Sequence, residues 1–356
     1  MNHLSSHNIE NDNLIEKMKS NFVFSIKNSP KNYKNAYKNH LKENDLNNIY
    51  VESYWKYFLR NRLSLGVNNN LNAIKIEDGN CDCDYANLIS KHIQNIDDQK
   101  DLITICNFLI KTCGEEFLLS NIMNDTGDPQ ILACNIKTKD DTEIMFSCNY
   151  HDLGEIYYLY SLKEVINYLK SKKNPTFVEL GGGYGGMVAK FKNNVPTGKF
   201  IIFDTPENNR IKEYYLTKNF KDSTIFTYKN YLNDNKILNK NFDFLILPIW
   251  EFKSFKNKKV DVVWAHETLL NLDKNELKNI FNNIHNTLKD EGLFAIIDYY
   301  SKVKNDNIVE LQDLKFDKKW EVIFSQKSIL QPKINIALLK RIKKPKDIDL
   351  RKFFQS

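Results

Sequence analysis

The glycines of this chain are concentrated at one point, directly after a short apolar segment. Five of the twelve glycines lie between Gly181 and Gly186, and Thr176–Leu180 precedes them. Glycine lets the backbone turn sharply and lets a ligand approach without a Cβ atom in the way. A purely structural turn does not need this many glycines. The cluster therefore predicts a cofactor-binding loop at the carboxyl end of a strand.

Two cofactor classes are compatible with this loop. Gly181, Gly183 and Gly186 match the spacing of the dinucleotide fingerprint, and Asp204 lies at a suitable distance to hold a ribose. A carboxylate at Glu179, however, would repel a pyrophosphate and would suit a cationic ligand or its ammonium group. The pattern Glu-x-Gly-x-Gly-x-Gly resembles the first motif of class I methyltransferases, which use S-adenosyl-L-methionine (SAM) and release S-adenosyl-L-homocysteine. We favour SAM, and an NAD-dependent oxidoreductase is the alternative.

Candidate catalytic residues follow the later strands. A hydroxyl acceptor needs a general base, and histidine suits that task near neutral pH. We predict His266, after the fourth main strand, as the base, with Glu267 orienting it or binding acceptor hydroxyls. Asp298 ends the fifth strand and is a candidate base or metal ligand, while Tyr150 and His151 are candidate acceptor contacts. No tight carboxylate pair follows the fourth strand, so we predict no bound metal.

The elements around these residues alternate between apolar runs and helical patterns, which indicates an α/β fold with a parallel sheet. We predict a Rossmann-like class I methyltransferase sheet with helices on both faces and an N-terminal, mostly helical domain. The predicted strands are Thr176–Leu180, Lys199–Phe203, Ser223–Thr227, Phe242–Leu247, Val260–Ala265 and Leu293–Ile297, with a closing hairpin of Trp320–Phe324 and Ile334–Leu339. The predicted helices are one ending near Lys172, one after Gly185, Asn208–Phe220 and Asp273–Lys289, and a turn is predicted at Glu291–Gly292.

Three regions follow from this pattern. Residues 1–150 form the mostly helical domain, with a frayed stretch of about 20 residues at its start. Residues 151–345 form the SAM-binding methyltransferase domain, and residues 346–356 form a C-terminal tail.

Composition narrows the class of protein. The chain is 42% hydrophobic and 27% charged, which is typical of a globular protein with a real core. The formal net charge of +6 is spread along the chain, whereas a nucleic-acid binder concentrates its charge. The N-terminus lacks the apolar stretch of a secretory signal, and no run approaches the roughly 18 apolar residues of a membrane span. The six cysteines form no CxxC pair. We therefore expect a cytoplasmic protein.

Several sequence blocks, in order, resemble a family of bacterial sugar O-methyltransferases. The resemblance covers roughly residues 150–340. Thr205 stands where that family has Leu, and Thr268 and Asn271 stand where it has Ser and Glu. The matching blocks are Val178–Gly186, Phe203–Glu207, Tyr214–Leu216, Leu247–Trp250 and Val260–Val263.

The resemblance implies methyl transfer from SAM to a sugar hydroxyl, in surface polysaccharide (capsule) or nucleotide-sugar biosynthesis. The acceptor would be a sugar or glycan, free or nucleotide-linked, and a homodimer is compatible with the family. A lipid or another small-molecule acceptor and a non-catalytic SAM-fold assembly protein stay open as alternatives. The implied cofactor contacts are Glu179, Gly181, Gly183, Tyr184, Gly185, Asp204, Thr205, Pro248 and Trp250.

Overall fold

The computed structural model describes most of the chain after residue 150 and parts of it before that point. The described residues are 14, 17, 18, 20–31, 96–123, 132–137, 143–148, 150–234, 236–255, 258–269, 274–299, 301–304, 307–310 and 320–342. The backbone alone is described for residues 96–101, for the strands over 132–137, 143–148, 301–304 and 307–310, and for Tyr150, His151, Glu207, Lys274, Asn275, Glu276 and Tyr299.

Helices and strands alternate through the second half of the chain. The helices are α1 (20–27), α2 (Ile96–Cys113), α3 (Glu115–Asn121), α4 (Tyr150–Ser161), α5 (Lys163–Lys170), α6 (Gly186–Asn194), α7 (Pro206–Asn219), α8 (Tyr228–Asn233) and α9 (Lys274–Thr287). The strands are β1 (Leu132–Lys137), β2 (Glu143–Cys148), β3 (Thr176–Leu180), β4 (Lys199–Asp204), β5 (Ile225–Thr227), β6 (Phe244–Pro248), β7 (Val260–His266), β8 (Leu288–Tyr299), β9 (Ser301–Lys304), β10 (Asn307–Glu310), β11 (Trp320–Lys327) and β12 (Ile334–Arg341). Short 3-10 helices span Ile237–Asn239 and Ile249–Phe255.

An eight-stranded sheet lies at the centre of the described chain, in the order β11-β12-β8-β7-β3-β4-β6-β5. The strands from β3 to β8 run parallel, and β11 and β12 pair antiparallel at one end. The chain moves outward from β3 through β4 to β6 and then returns to place β7 on the other side of β3. This reversal is a topological switch point, where parallel α/β sheets bind ligands at the carboxyl ends of their strands.

Both faces of the sheet are covered, because successive side chains of a strand point to opposite faces. Phe177 belongs to the hydrophobic cluster that also contains residues of α2 to α7, and Val178 belongs to the cluster that contains residues of α8, α9 and the second 3-10 helix. The predicted Rossmann-like sheet with helices on both faces is therefore confirmed.

The predicted boundaries differ from the observed ones in several places. The helix predicted to end near Lys172 is two helices, because Leu162 leaves helical geometry between α4 and α5. The helix predicted over Asp273–Lys289 ends at Thr287, and β8 begins at once, so that the predicted Glu291–Gly292 turn is an irregularity within a strand. Glu291 has a positive φ of 65° there. The antiparallel pair β1–β2 was not predicted.

The N-terminal helix packs on α7. Met18 is buried against Ile211 and Tyr214, although it lies in the stretch predicted to be frayed. Asn21 Nδ2 donates to Glu213 Oε1 at 2.9 Å. No helix within the described ranges is both long enough and apolar enough to cross a membrane.

Candidate active site

The glycine loop leaves β3 at the switch point in a conformation that only glycine adopts easily. Gly181, Gly182, Gly183 and Gly185 all have positive φ. A Cβ atom at Gly181 would lie 1.9 Å from Thr268 Oγ1, and one at Gly182 would lie 2.2 Å from Glu179 Oε2. At Gly183 a Cβ atom would meet nothing within 4 Å. The first two glycines are therefore required by their neighbours, whereas Gly183 faces open space.

Glu179 lies beneath this loop and is fully buried. Neither of its carboxylate oxygens has a hydrogen-bond partner among the described residues. Burial raises the pKa of Glu179 to about 7; the charge of Lys212 opposes the shift, and the charge of Glu155 adds to it. A buried carboxylate without a partner is costly to folding, and such groups occur where a ligand supplies the missing partner.

Asp204, on the adjacent strand β4, is held on both oxygens. Its Oδ1 accepts from Thr205 N at 2.7 Å and from Asn208 Nδ2 at 3.1 Å. Its Oδ2 accepts from Lys212 Nζ at 3.0 Å. Burial raises the pKa of Asp204, although Lys212 and the hydrogen bonds oppose the shift. The carboxylate is thus fixed in one orientation at the end of the strand, and its contact with a ribose remains a prediction.

Thr205 has a local role at the start of α7. It is the N-cap residue, and its Oγ1 accepts from Asn208 N at 3.5 Å. Pro248 pairs with Asp204 in the β4–β6 register, so it lies at the same edge of the sheet. Trp250 follows in the 3-10 helix and contacts the Tyr228 ring edge-on at 6.3 Å. The role of Trp250 as a cofactor contact remains a prediction.

Tyr184, within the loop, is tied to a buried ionic cluster on α4 and α6. Its hydroxyl donates to Glu155 Oε2 at 3.1 Å, and Lys190 Nζ donates to the same oxygen at 2.8 Å. Lys190 also contacts Asp152. Burial alone would lower the pKa of Lys190, but the charges of Asp152 and Glu155 outweigh it and raise the pKa. These contacts fix the loop against α4 and α6. The cluster was not predicted from the sequence. Its signal is the spacing of Asp152 and Glu155, three residues apart on one helix face.

His266 ends β7 on the other side of the glycine loop. Its side chain is 8% exposed, and Nε2 lies 3.6 Å from Glu267 Oε1. Tyr158 packs edge-on against the imidazole at 5.3 Å between ring centroids. Burial lowers the pKa of His266, but the hydrogen bond and charge of Glu267, with the charge of Glu155, outweigh burial and raise the pKa.

Glu267 occupies a backbone conformation that is unfavourable for a residue with a Cβ atom, with φ of 48°. Its N–H donates to Ile297 O at 2.7 Å, which holds this conformation in place. Strained backbone of this kind is often found at functional sites.

Asp298 is buried on β8, and its Oδ2 accepts from Leu269 N at 2.8 Å. This bond ties the segment after His266 to the neighbouring strand, and the role of Asp298 as a base or metal ligand remains a prediction. Within the described ranges, no three His, Cys, Asp or Glu side chains come together as a metal site. Tyr150 and His151 begin α4, but their side chains, and all of Asn271, lie outside the described part of the chain.

No protein-family model and no curated protein matches the sequence. Among solved structures, part of the chain is similar to the mitomycin 7-O-methyltransferase MmcR, with 16% identity over 54% of this chain and 58% of that one and a TM-score of 0.35. It is also similar to a Galdieria sulphuraria protein assigned as a sarcosine dimethylglycine methyltransferase (12% identity, 59% and 93% of the two chains, TM-score 0.40). A third similar structure is an O-methyltransferase family 2 protein from Planctomyces limnophilus in complex with apigenin. The identity is 12% over 47% of this chain and 51% of that one, with a TM-score of 0.33.

Proposed function

We propose that this protein is a SAM-dependent O-methyltransferase that acts on a sugar hydroxyl. The observation that carries the proposal is the buried carboxylate of Glu179 beneath the glycine loop, which has no hydrogen-bond partner among the described residues, next to the fixed carboxylate of Asp204. SAM carries an ammonium group that Glu179 would hold and ribose hydroxyls that Asp204 would accept. Gly183 leaves room for the ligand above the loop.

The same residues argue against a dinucleotide. A pyrophosphate at this loop would approach Glu179, a carboxyl group whose ionisation burial already disfavours. A second anion there would raise the pKa of Glu179 further and would leave the buried carboxyl without the cationic partner that an ammonium group supplies. An NAD-dependent oxidoreductase is therefore the second candidate, supported by the spacing of Gly181, Gly183 and Gly186 and opposed by Glu179.

When bound, SAM supplies a methyl group on a sulfonium, which leaves as a thioether once an acceptor oxygen attacks. This chain's residues would then have two tasks. The first is to hold the acceptor oxygen in line, because positioning accounts for much of the rate in such displacements. The second is to remove the hydroxyl proton, and the residue proposed for it is His266, which ends β7 with Glu267 beside it.

The sugar acceptor is supported by the resemblance of Val178–Gly186 and Phe203–Glu207 to the sugar O-methyltransferase family. The proposed context is surface polysaccharide or nucleotide-sugar biosynthesis in the cytoplasm. A lipid or another small molecule is the nearest rival acceptor.

The proposal is tested with radiolabelled SAM and a panel of nucleotide sugars, capsule fragments and lipids. Methyl transfer to a sugar oxygen is the expected result. A product methylated on nitrogen or carbon would refute the O-methyl assignment, and transfer to a lipid alone would refute the sugar assignment. SAM binding without turnover of any acceptor would favour a non-catalytic assembly protein.

A further inference from the structure

Lys212 is a buried lysine beside the glycine loop, and the proposed function gives its charge no role. It lies on α7, its side chain is fully buried, and it reaches the cofactor site from the protein side. Its Nζ donates to Asp204 Oδ2 at 3.0 Å and to Gly181 O at 3.0 Å. One ammonium group therefore bridges the glycine loop and the acid at the end of the next strand.

The charges around the loop are unbalanced. Four buried carboxyl groups surround it, Asp152, Glu155, Glu179 and Asp204, against two buried ammonium groups, Lys190 and Lys212. Lys190 is already bonded to Asp152 and Glu155. Lys212 is therefore the ammonium group that balances the cofactor side of the loop.

We propose that Lys212 is a positioning residue that ties the glycine loop to Asp204 and sets the charge of the cofactor pocket. This inference rests on the proposed function, because an ionised Glu179 is what a cationic cofactor needs. SAM carries a net positive charge, whereas S-adenosyl-L-homocysteine carries none, so the charge of the pocket affects which of the two binds more tightly.

Four charged or titratable groups face Glu179. Lys212 comes from α7, Glu155 from α4, His266 from β7 and Asp204 from β4. Burial raises the pKa of Glu179 most, Glu155 and Asp204 raise it further, and Lys212 and His266 lower it. Removal of Lys212 should therefore raise the pKa of Glu179, because the largest opposing charge is lost.

The test is the number of protons released when SAM binds, measured by titration calorimetry in buffers of different ionisation enthalpy. With a pKa of about 7, Glu179 of the wild type is mostly ionised at pH 8 and releases about 0.1 proton there. We expect Lys212→Met to raise the pKa by about one unit and the release at pH 8 to about 0.5 proton. The titration of SAM itself is common to both proteins and cancels in the difference.

Three further variants make the result specific. Lys212→Arg keeps the charge and should restore the wild-type release, and Lys212→Gln should behave as Lys212→Met if the methionine variant does not fold. Lys192→Met removes a buried lysine that contacts Asp243, away from the loop, and should leave the release unchanged. In a Glu179→Gln background, the number of protons released on SAM binding should be the same with and without Lys212.

The outcomes separate the inference from the proposed function. Proton release at pH 8 from folded Lys212→Met or Lys212→Gln equal to that of the wild type, or the same fold-change in affinity at every pH, would overturn the inference while SAM binding by the wild type stands. If the wild type binds no SAM at any pH, the proposed function fails and the inference fails with it.

Discussion

Burial of Glu179 makes its ionised form unfavourable in the folded protein. Its pKa is about 7 in the folded protein, compared with an ordinary value of 4.5. Between these values the folded state keeps a proton that the unfolded state releases, so stability falls as the pH rises from 4.5 to 7 and the full penalty is present above 7. Retention of this penalty is expected when a residue serves a ligand.

Glu179→Gln should therefore stabilise the protein and impair its function. We expect the free energy of unfolding to rise by about 2–3 kcal/mol at pH 8 and to change little near pH 4, measured by urea denaturation at both values. SAM affinity should fall at least tenfold. Glu213→Gln is the matched control, a buried acid bonded to Asn21 on the other side of α7, and should leave SAM binding intact. Stabilisation at both pH values alike would contradict the ionisation account.

His266 is expected to affect turnover more than binding. If it removes the hydroxyl proton, His266→Ala should lower kcat by about 10²–10⁴-fold with SAM affinity within threefold of the wild type. His285→Ala on α9 is a suitable control, because that imidazole packs on Trp320 instead. Wild-type turnover in His266→Ala would remove this residue as the base.

Glu267 should determine the pH at which His266 loses its proton. The base must be neutral, so the rate should rise with pH through the pKa of His266, which lies above its ordinary 6.5. Glu267→Gln removes the charge that raises this pKa, so the acidic limb of the kcat profile should move to lower pH. An unmoved limb would show that another group sets the profile.

At the scale of elements, two neighbouring glycines of the loop can be compared by substitution with alanine. Gly182→Ala places a Cβ atom 2.2 Å from Glu179 Oε2, so either the loop or the carboxylate must move. Gly183→Ala meets no neighbour within 4 Å and bears only the cost of a positive φ, about 1 kcal/mol. In the ligand-free protein we expect the free energy of unfolding to fall more for Gly182→Ala than for Gly183→Ala, measured by urea denaturation. Equal losses would show that the strained backbone, and not Glu179, limits the loop.

The strands that carry the site residues can be predicted from the sequence. The helices that pack beneath the site can be predicted only in part. Thr176–Leu180 was predicted with its observed boundaries because an apolar β-branched and aromatic run ends at a block of glycines. The break at Leu162 carries no glycine or proline signal. The partners of Lys190 lie 35 and 38 residues away, and sequence spacing does not show that such distant charges are buried together.

At the candidate site, residues marked by their position in a strand can be predicted from the sequence, whereas residues brought in by long-range packing cannot. Glu179, Asp204 and His266 could be predicted because each ends a strand, and the carboxyl ends of parallel strands meet at one edge. Lys212 could not, because it is one of many lysines in the chain and only the packing of α7 buries it. Asp298 was predicted as a base or metal ligand, and its bond to Leu269 N depends on how β8 lies beside β7.

At the scale of the whole molecule, the regions before and after residue 150 share a core. Leu102, Cys106 and Leu118 belong to the same hydrophobic cluster as Phe177 of the sheet. Asn121 Oδ1 accepts from Asn194 Nδ2 at 2.6 Å, which joins α3 to α6. The proposed division into an N-terminal domain and a methyltransferase domain remains a prediction about sequence regions.

The central claim is that a buried acid beneath the glycine loop selects a cationic cofactor. Titration calorimetry of the wild type and Glu179→Gln with SAM, S-adenosyl-L-homocysteine and NADH tests it directly. We predict that the wild type binds SAM and S-adenosyl-L-homocysteine but not NADH, and that Glu179→Gln loses most of its SAM affinity. NADH binding by the wild type without SAM binding would contradict the account and restore the oxidoreductase.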